Sequence, residues 1–408
     1  MPIPMRVLET CESILDGLSF LALTALRHLS RFHKLRRRLL QFLILTFVLW
    51  STIDVILVRR HFNEEQTHLD YKPPERQRIF IASVIRNNER SLPDGWNEAV
   101  VELANVFGSD NIFVSVYETG SSDATKNALR ELDKSLETNK IGRRVITSDT
   151  GPHDEPSRDH NSGRPPYIPQ LRNKSLEPLY DLRGAGAFFD RILFLGSVAF
   201  TTQDVLSLLN TNYGTYTAAC SFDPLNFSAL DGLFALRDTD GYEPVMQKWP
   251  FFRSSRSRDD MKSMLPVRVR SCWDEMVFMA TEAFYSSLGI QFRGVPDGLA
   301  EFRLEASECC LIHADNILSG RRGVYLNPFV RVGQDAPRNP AAHPLSSWFS
   351  TWEIFESVWE NRLRRWFSFP NMARWPLRRR LSRWESEDDN HKERGDFCLI
   401  KAVQPPAT

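Results

Sequence analysis

The sequence predicts an α/β domain on a mostly parallel sheet, preceded by one membrane-spanning helix. Three observations carry this reading. An apolar run from Leu39 to Val58 stands between basic flanks. Beyond it, apolar β-rich runs alternate with helix-periodic stretches, the order of a parallel sheet with helices on its faces. The length of 408 residues, with 42% hydrophobic and 25% charged residues, suffices for one large domain with a buried core.

The run Leu39–Val58 carries a single charge, Asp54. As a helix it extends roughly 30 Å, the thickness of a bilayer's hydrocarbon core. Arg27, Arg31, Lys34, Arg36, Arg37 and Arg38 precede it, whereas only Arg59 and Arg60 follow closely. The heavier positive flank stays cytoplasmic, which predicts a single-pass type II anchor with the body on the lumenal side. A cleaved signal peptide would have a shorter apolar region and a small-residue cleavage site. Residues 1–38 read as a basic cytoplasmic tail and 59–78, with Pro73-Pro74, as a stem.

The domain expected over 79–345 opens with the strand Ile79–Val84. A helix over Trp96–Phe107 and a strand over Asn111–Glu118 follow. Next come a helix over Ala124–Leu136, a short strand Arg144–Thr147, and a loop over 149–167 rich in Gly, Pro, Asp and Ser. A helix over Leu171–Leu182 leads into the strand Arg191–Phe200. Ligands of such sheets bind beyond the C-terminal strand ends, which places Arg86, Asn87, Glu118, Asp123 and the Gly196-Ser197 turn near a site. Residues 346–384 are dense in Trp and Arg and read as one or two amphipathic helices, either packed on the domain or lying on a membrane surface. Residues 385–408 read as a polar, unstructured tail.

Formal net charge is zero, and residues 1–61 hold 9 basic against 4 acidic side chains. A basic end ahead of a slightly acidic body fits an anchor and excludes a nucleic-acid partner. None of the six cysteines stands in a CxxC spacing, which excludes a zinc ribbon. The five beyond the anchor form one or two disulfides with a thiol left over, or serve as small buried hydrophobes. Asn173-Lys174-Ser175 and Asn226-Phe227-Ser228 are glycosylation sequons, of which Asn226 is the better acceptor.

Several blocks carry chemistry: IASVIRNNE (Ile81–Glu89), VYETGSSDAT (Val116–Thr125), LRNKSLEPL (Leu171–Leu179), ALRDTDG (Ala235–Gly241), VRSCWDEM (Val269–Met276), FRGVPDGLAE (Phe292–Glu301), SECCLIHAD (Ser307–Asp315) and VYLNPFVRV (Val324–Val332). Over Ile79–Val332 the chain resembles the fungal capsule-associated α-1,3-mannosyltransferase family, of the cryptococcal mannosyltransferase type. The resemblance implies a GT-A-like nucleotide-sugar transferase domain in a Golgi membrane. It also implies retaining transfer of mannose from GDP-mannose to a mannoside or glycan acceptor, with a divalent metal of the Mn²⁺ type as cofactor.

Under that resemblance Arg86, Glu118, Asp123, Arg172, Asn173 and Arg237 are donor-binding candidates, because guanidinium pairs with phosphate and carboxylate accepts from ribose hydroxyls. Asp238 and Asp274 are catalytic candidates that contact sugar hydroxyls or stabilise developing positive charge. His313 and Asp315 are metal-ligand candidates. Competing structural readings stand beside these: Arg237–Asp238 as an internal pair, His313 as a satisfied core histidine, and Ser122 or Asp123 as a helix cap.

One departure from the family pattern matters. The strand Arg191–Phe200 would end in Asn-Asp, whose aspartate holds the metal–diphosphate, but this chain has Gly196-Ser197. Either Asp223, Asp238 or Asp315 compensates, or the chain is a non-catalytic member that binds glycan or a partner transferase.

Overall fold

The computed structural model describes residues 33–64, 71–73, 77–148, 168–222, 234–286, 289–332 and 350–401. The chain divides into two compact units, Met1–Arg60 and His61–Thr408. Helix α1 (His33–Glu64) contains the one stretch among the described residues long and apolar enough to cross a membrane, Arg36–Phe62. Its apolar side chains, Phe42, Leu45 and Leu49 among them, are exposed on the protein, as a lipid-facing helix requires.

The second unit is a mixed α/β fold. Its strands are β1 (Ile79–Ile85), β2 (Ile112–Thr119), β3 (Gly142–Ser148), β4 (Arg191–Leu195), β5 (Ala218–Phe222), β6 (Arg237–Asp238), β7 (Val267–Ser271), β8 (Met276–Ala280), β9 (Leu304–Glu305), β10 (Val324–Arg331) and β11 (Ile400–Lys401). Nine of them form one sheet in the order β3-β2-β1-β4-β8-β5-β10-β7-β6. The block β3-β2-β1-β4 is parallel, as is the β5–β10 pair. Strand β8 is inserted antiparallel between β4 and β5. The alternation of strands and helices therefore anticipates the parallel half. The antiparallel insertion joins segments far apart in sequence, and no local pattern encodes it.

Helices α2 (Asn97–Phe107), α3 (Thr125–Thr138), α4 (Ile168–Gly184) and α5 (Thr202–Leu209) are the crossovers. Val100, Leu103 and Phe107 of α2, with Leu129 and Leu132 of α3, recur at helical spacing and pack on Ile81, Ile85, Val114 and Val116. Each large side chain so removed from water contributes roughly 1.5–3 kcal/mol. On the other face Phe80 stacks on Phe113 and meets Phe189 edge-on, with α4 lying against β1 and β2. Strand β4 stops at Leu195, five residues short of the predicted end, where Gly196 begins a turn.

The C-terminal part holds α6 (Ser255–Lys262), α7 (Glu308–Asp315), α8 (Thr351–Phe367) and α9 (Pro370–Glu385). Ser350 and Glu353 form a capping box at the start of α8. Pro370 opens α9 instead of interrupting it, because a first-turn residue needs no N–H. The tail expected to be unstructured is ordered to Lys401. Cys398 is disulfide-bonded to Cys310 of α7, and β11 pairs antiparallel with β9. A second disulfide joins Cys220 of β5 to Cys272, just after β7. Cys309 is a buried thiol outside both disulfides, 3.3 Å from Glu308 Oε1, so two disulfides and a leftover thiol account for the five cysteines of this unit.

Under native, non-reducing conditions Cys309 should resist alkylation and react only on unfolding, whereas Cys220, Cys272, Cys310 and Cys398 should react only after reduction. Peptide mapping by mass spectrometry reads this directly. Opening the Cys220–Cys272 loop, whose ends lie 52 residues apart, with Cys272→Ser should cost on the order of 4 kcal/mol. Thermal unfolding of the oxidised and mutant chains measures it.

Candidate active site

The parallel strands β1 to β4 deliver their C-terminal ends to one edge, and the polar residues there are tied into a single network. Asn87 takes a left-handed backbone, φ 53°, which asparagine tolerates better than most residues. That turn lets its N–H donate to Ser121 Oγ at 3.0 Å and its Oδ1 accept from Ser122 N–H at 3.0 Å. Asn88 N–H donates to Thr125 Oγ1 at 2.7 Å, and its Nδ2 donates to Ser197 Oγ at 2.7 Å. The loop after β1 thus bridges the ends of β2 and β4. Arg86 is exposed on this edge.

Glu118 is fully buried at the end of β2. Its carboxylate accepts from Ser121 N–H and, at 3.1 Å, from Ser148 N–H at the end of β3. Asp123 accepts from Thr125 N–H at 3.0 Å and Glu89 N–H at 3.1 Å. Burial alone would raise its pKa, but the hydrogen bonds from Thr125 and Glu89 prevail and hold it below the usual carboxylate value. The donor-side candidates Arg86, Glu118 and Asp123 therefore share one edge with Ser197, and Asp123 also serves the helix-start role weighed against its ligand role.

The end of β4 holds a carboxylate that sequence reasoning missed. The β4–β8 pairing continues past the strands: Gly196 N–H donates to the Glu275 carbonyl at 2.7 Å. The Glu275 side chain folds over Gly196. A Cβ built on Gly196 would collide with Glu275 Oε2, with the carboxyl carbon 3.2 Å away. Only glycine admits this approach. Trp96 Nε1 donates to the Gly196 carbonyl at 2.8 Å and fixes the turn from below. Asp274, next in the chain, has its Oδ1 2.9 Å from Glu275 N–H and is only partly buried. The sequence signal was the Gly196 vacancy together with the acidic pair Asp274-Glu275. Only the pairing of β4 with β8 joins the two.

Other candidates are placed elsewhere. Arg237 and Asp238 form β6 at the far edge of the sheet, five strands from β4 and so roughly 24 Å away. Arg237 is fully buried and donates to the carbonyls of Phe397 at 2.9 Å and Leu236 at 2.8 Å. Burial lowers its pKa to about 10, which Glu243 partly opposes. Asp238 accepts from the N–H groups of Ser254, Tyr242 and Asp240 at 2.8–3.0 Å. Both are corrected from ligand contacts to an internal brace, because a buried charged group with its partners supplied has none to offer a substrate.

Asn173 uses both ends of its amide on the Phe292 backbone, at 2.8 and 3.0 Å. It clamps α4 to the Phe292 segment and is neither a donor contact nor a free glycan acceptor. Asn226 and Asp223 lie outside the described residues. Arg172 lies over the rings of Trp273 and Phe292, 4.6 and 5.7 Å from their centroids, and pairs with the buried Glu308 at 3.4 Å.

The proposed metal pair is likewise separated. His313 and Asp315 lie on helix α7, not on a strand or turn, and two residues apart on a helix point in nearly opposite directions. Asp315 receives Arg293 through both oxygens, at 2.7 and 2.9 Å. Burial opposes the charge on Arg293, but Asp315 and Glu393 hold it firmly protonated. His313 is buried with Nε2 2.7 Å from the Cys272 carbonyl. A ring nitrogen of His313 approaches the sulfurs of Cys220 and Cys272 within 4.8 Å, but those sulfurs are bonded to each other and are not ligands. Burial lowers the His313 pKa to about 4, against a smaller opposing effect of the Cys272 carbonyl. His313 is a buried core histidine with one ring nitrogen paired: Nε2 meets the Cys272 carbonyl and Nδ1 has no hydrogen-bond partner among the described residues. Two surface clefts among the described residues lie away from this edge, one at the N-terminal strand ends beside Asp190 and Thr281, the other between α2 and α3.

The domain is a mixed α/β fold whose parallel block gathers carboxylates and amides at one strand-end edge, and its class is that of the glycosyltransferases. More particularly, the chain belongs to the family described as cryptococcal mannosyltransferase 1, whose model matches residues 78–315. No curated protein matches the chain. Among solved structures it is similar to the mannosyltransferase PcManGT from Pyrobaculum calidifontis in complex with GDP-Man and Mn²⁺. That match has 12% identity over 84% of this chain and 86% of the other, with a TM-score of 0.38. It is also similar to TarS 1–349 from S. aureus, at 13% identity over 62% and 61% of the chains and a TM-score of 0.32. The third is glucosyl-3-phosphoglycerate synthase from M. tuberculosis, at 12% identity over 71% and 80% with a TM-score of 0.32. Likeness at this level carries no information about substrate.

The His313 pKa gives a pH test. The unfolded chain takes up the proton near pH 6.5 and the folded chain only near pH 4. Stability contributed above pH 6.5 is therefore lost as pH falls through that window, by up to roughly 3 kcal/mol. Denaturant melts at pH 7 and pH 5 should show this decline. His313→Gln, which keeps a donor for the Cys272 carbonyl without titrating, should flatten it.

Proposed function

We propose that this chain is a membrane-anchored mannosyltransferase that moves mannose from GDP-mannose to a mannoside acceptor with an α-1,3 linkage. Its domain lies on the lumenal side of a Golgi membrane, in cell-wall or capsule glycan synthesis. Family membership supports the sugar-transfer class. The single observation that carries activity over a non-catalytic role is Glu275, whose carboxylate lies over Gly196, next to Ser197, where the family pattern leads one to expect an aspartate.

Glu275 and Asp274 form no group of three close metal ligands among the described residues, so a divalent metal there would have to be held jointly with the donor diphosphate. Glu275 and Asp274 offer hard carboxylate oxygens beside the strand ends, the donors that Mn²⁺ and Mg²⁺ prefer. A metal bound there would offset the charge of the departing diphosphate. Arg86, exposed on the rim, would meet phosphate, whereas Glu118, wholly buried with its two oxygens taken by the Ser121 and Ser148 N–H groups, holds the ends of β2 and β3 together. The Asn88–Ser197 hydrogen bond holds the β1 and β4 loops at fixed separation.

The purified chain with GDP-mannose, Mn²⁺ and a mannobiose acceptor should form product. Glu275→Gln should reduce turnover by about 100-fold or more and weaken Mn²⁺-dependent GDP binding in calorimetry. Glu275→Gly should likewise lose activity. The double variant Glu275→Gly with Ser197→Asp, which returns the carboxylate to the end of β4, should recover part of the activity. Absence of both product and GDP binding in the unaltered chain would overturn the enzyme reading in favour of a glycan- or partner-binding family member.

A further inference from the structure

Helices α8 and α9 bury one face and leave the other bare. Ile354 and Val358 of α8 and Leu381 and Trp384 of α9 are buried against the domain. On the opposite side Trp352, Trp366, Phe367, Phe369, Met372 and Trp375 are exposed, Phe367 at 76% and Met372 at 73%. Solvent exposure of so many large apolar groups on two consecutive helices is costly unless something covers them.

The chemistry around this face selects what covers it. From Asn361 to Trp384 the chain has eight arginines and no Asp or Glu. Behind the exposed Phe367–Phe369 connector more cationic groups collect. Arg253 Nη2 donates to Ser368 Oγ, Arg258 Nη1 donates to the Arg253 carbonyl at 2.9 Å, and Arg365 Nε donates to Asn361 Oδ1 at 2.9 Å. Burial, and then repulsion from Arg258, Arg362 and Arg253, lowers the Arg365 pKa to about 10, with Asp259 opposing. Such a gathering of like charges is relieved by an external anion. A two-fold pairing of copies through this face would set arginines against arginines, which disfavours self-association.

The chain also enters the domain close by. Phe62 packs edge-on against Trp249, ring centroids 5.7 Å apart, four residues before Arg253. The apolar run of α1 ends at Val58, only four residues before Phe62.

We infer that the outer face of α8 and α9 docks on the surface of a phospholipid bilayer. The aromatic side chains around Phe367–Phe369 enter the headgroup–acyl boundary, and Arg365, Arg378 and Arg379 bind lipid phosphates. Tryptophan and phenylalanine favour that boundary, and guanidinium pairs bidentately with phosphate. This inference is independent of the transferase reading.

The test uses the full chain in nanodiscs of phosphatidylcholine with phosphatidylglycerol, comparing ordinary with dibrominated acyl chains, which quench tryptophan fluorescence on contact. Trp50 of α1 is quenched in any case. Replacing Trp366 and Trp375 together by Phe should lower the quenched amplitude roughly twofold, whereas Trp273→Phe in the core should not change it. The exposed charge reversals Arg378→Glu and Arg379→Glu should lower the quenching of Trp366 and Trp375 while leaving the thermal melt in place. Equal quenching in the unaltered chain and the Trp366/Trp375 variant would overturn the inference. Quenching that the charge reversals leave unchanged would overturn the headgroup contact.

Discussion

The insertion of β8 antiparallel between β4 and β5 is the constraint on which the rest depends. It joins the parallel block β3-β2-β1-β4 to the β5–β10 pair and makes the sheet continuous. The same pairing runs on as the hydrogen bond from Gly196 to the Glu275 carbonyl and sets the Glu275 carboxylate over the end of β4. The Cys220–Cys272 disulfide ties β5 to the segment that feeds β8, so the strand carrying the carboxylate is braced from both sides. A carboxylate that must meet a metal or diphosphate within a few tenths of an ångström needs such bracing.

Away from this edge the charged motif residues do structural work. Arg237, Asp238, Asn173 and Asp315 resemble ligand contacts in sequence because the chemistry that binds phosphate or sugar also satisfies buried backbone groups. Arg237 is wholly enclosed and donates to the Phe397 carbonyl, while Asp238 collects three N–H groups at the same sheet edge. Asp315 and Glu393 together neutralise Arg293 and hold α7 to the C-terminal segment. Together with the Cys310–Cys398 disulfide, these contacts make the described residues up to Lys401 part of the domain. A polar composition alone would have left them loose.

Helices α8 and α9 are half domain and half exposed surface. Their buried stripe follows ordinary helical periodicity, while the opposite stripe has aromatic groups where a soluble helix would have carboxylates. In a chain that also has an apolar helix of membrane-crossing length, this second stripe gives the domain its own lipid-facing surface. Under the proposed anchoring the two contacts would differ in kind, one spanning and the other resting on the headgroups.

The sequence alone determined the membrane-length helix, the parallel alternation of strands and helices, and the family, because each depends on local composition, on period or on blocks contiguous in the chain. It also determined the edge that carries Arg86, Glu118 and Asp123, since strand ends follow from strand positions. Only the tertiary structure decided that His313 and Asp315 part company on a helix and that Arg237–Asp238 lies five strands from β4. Only there does Glu275 occupy the space over Gly196. Those outcomes depend on which strands become neighbours, and a pairing between residues nearly eighty positions apart leaves no trace in the local pattern of either one.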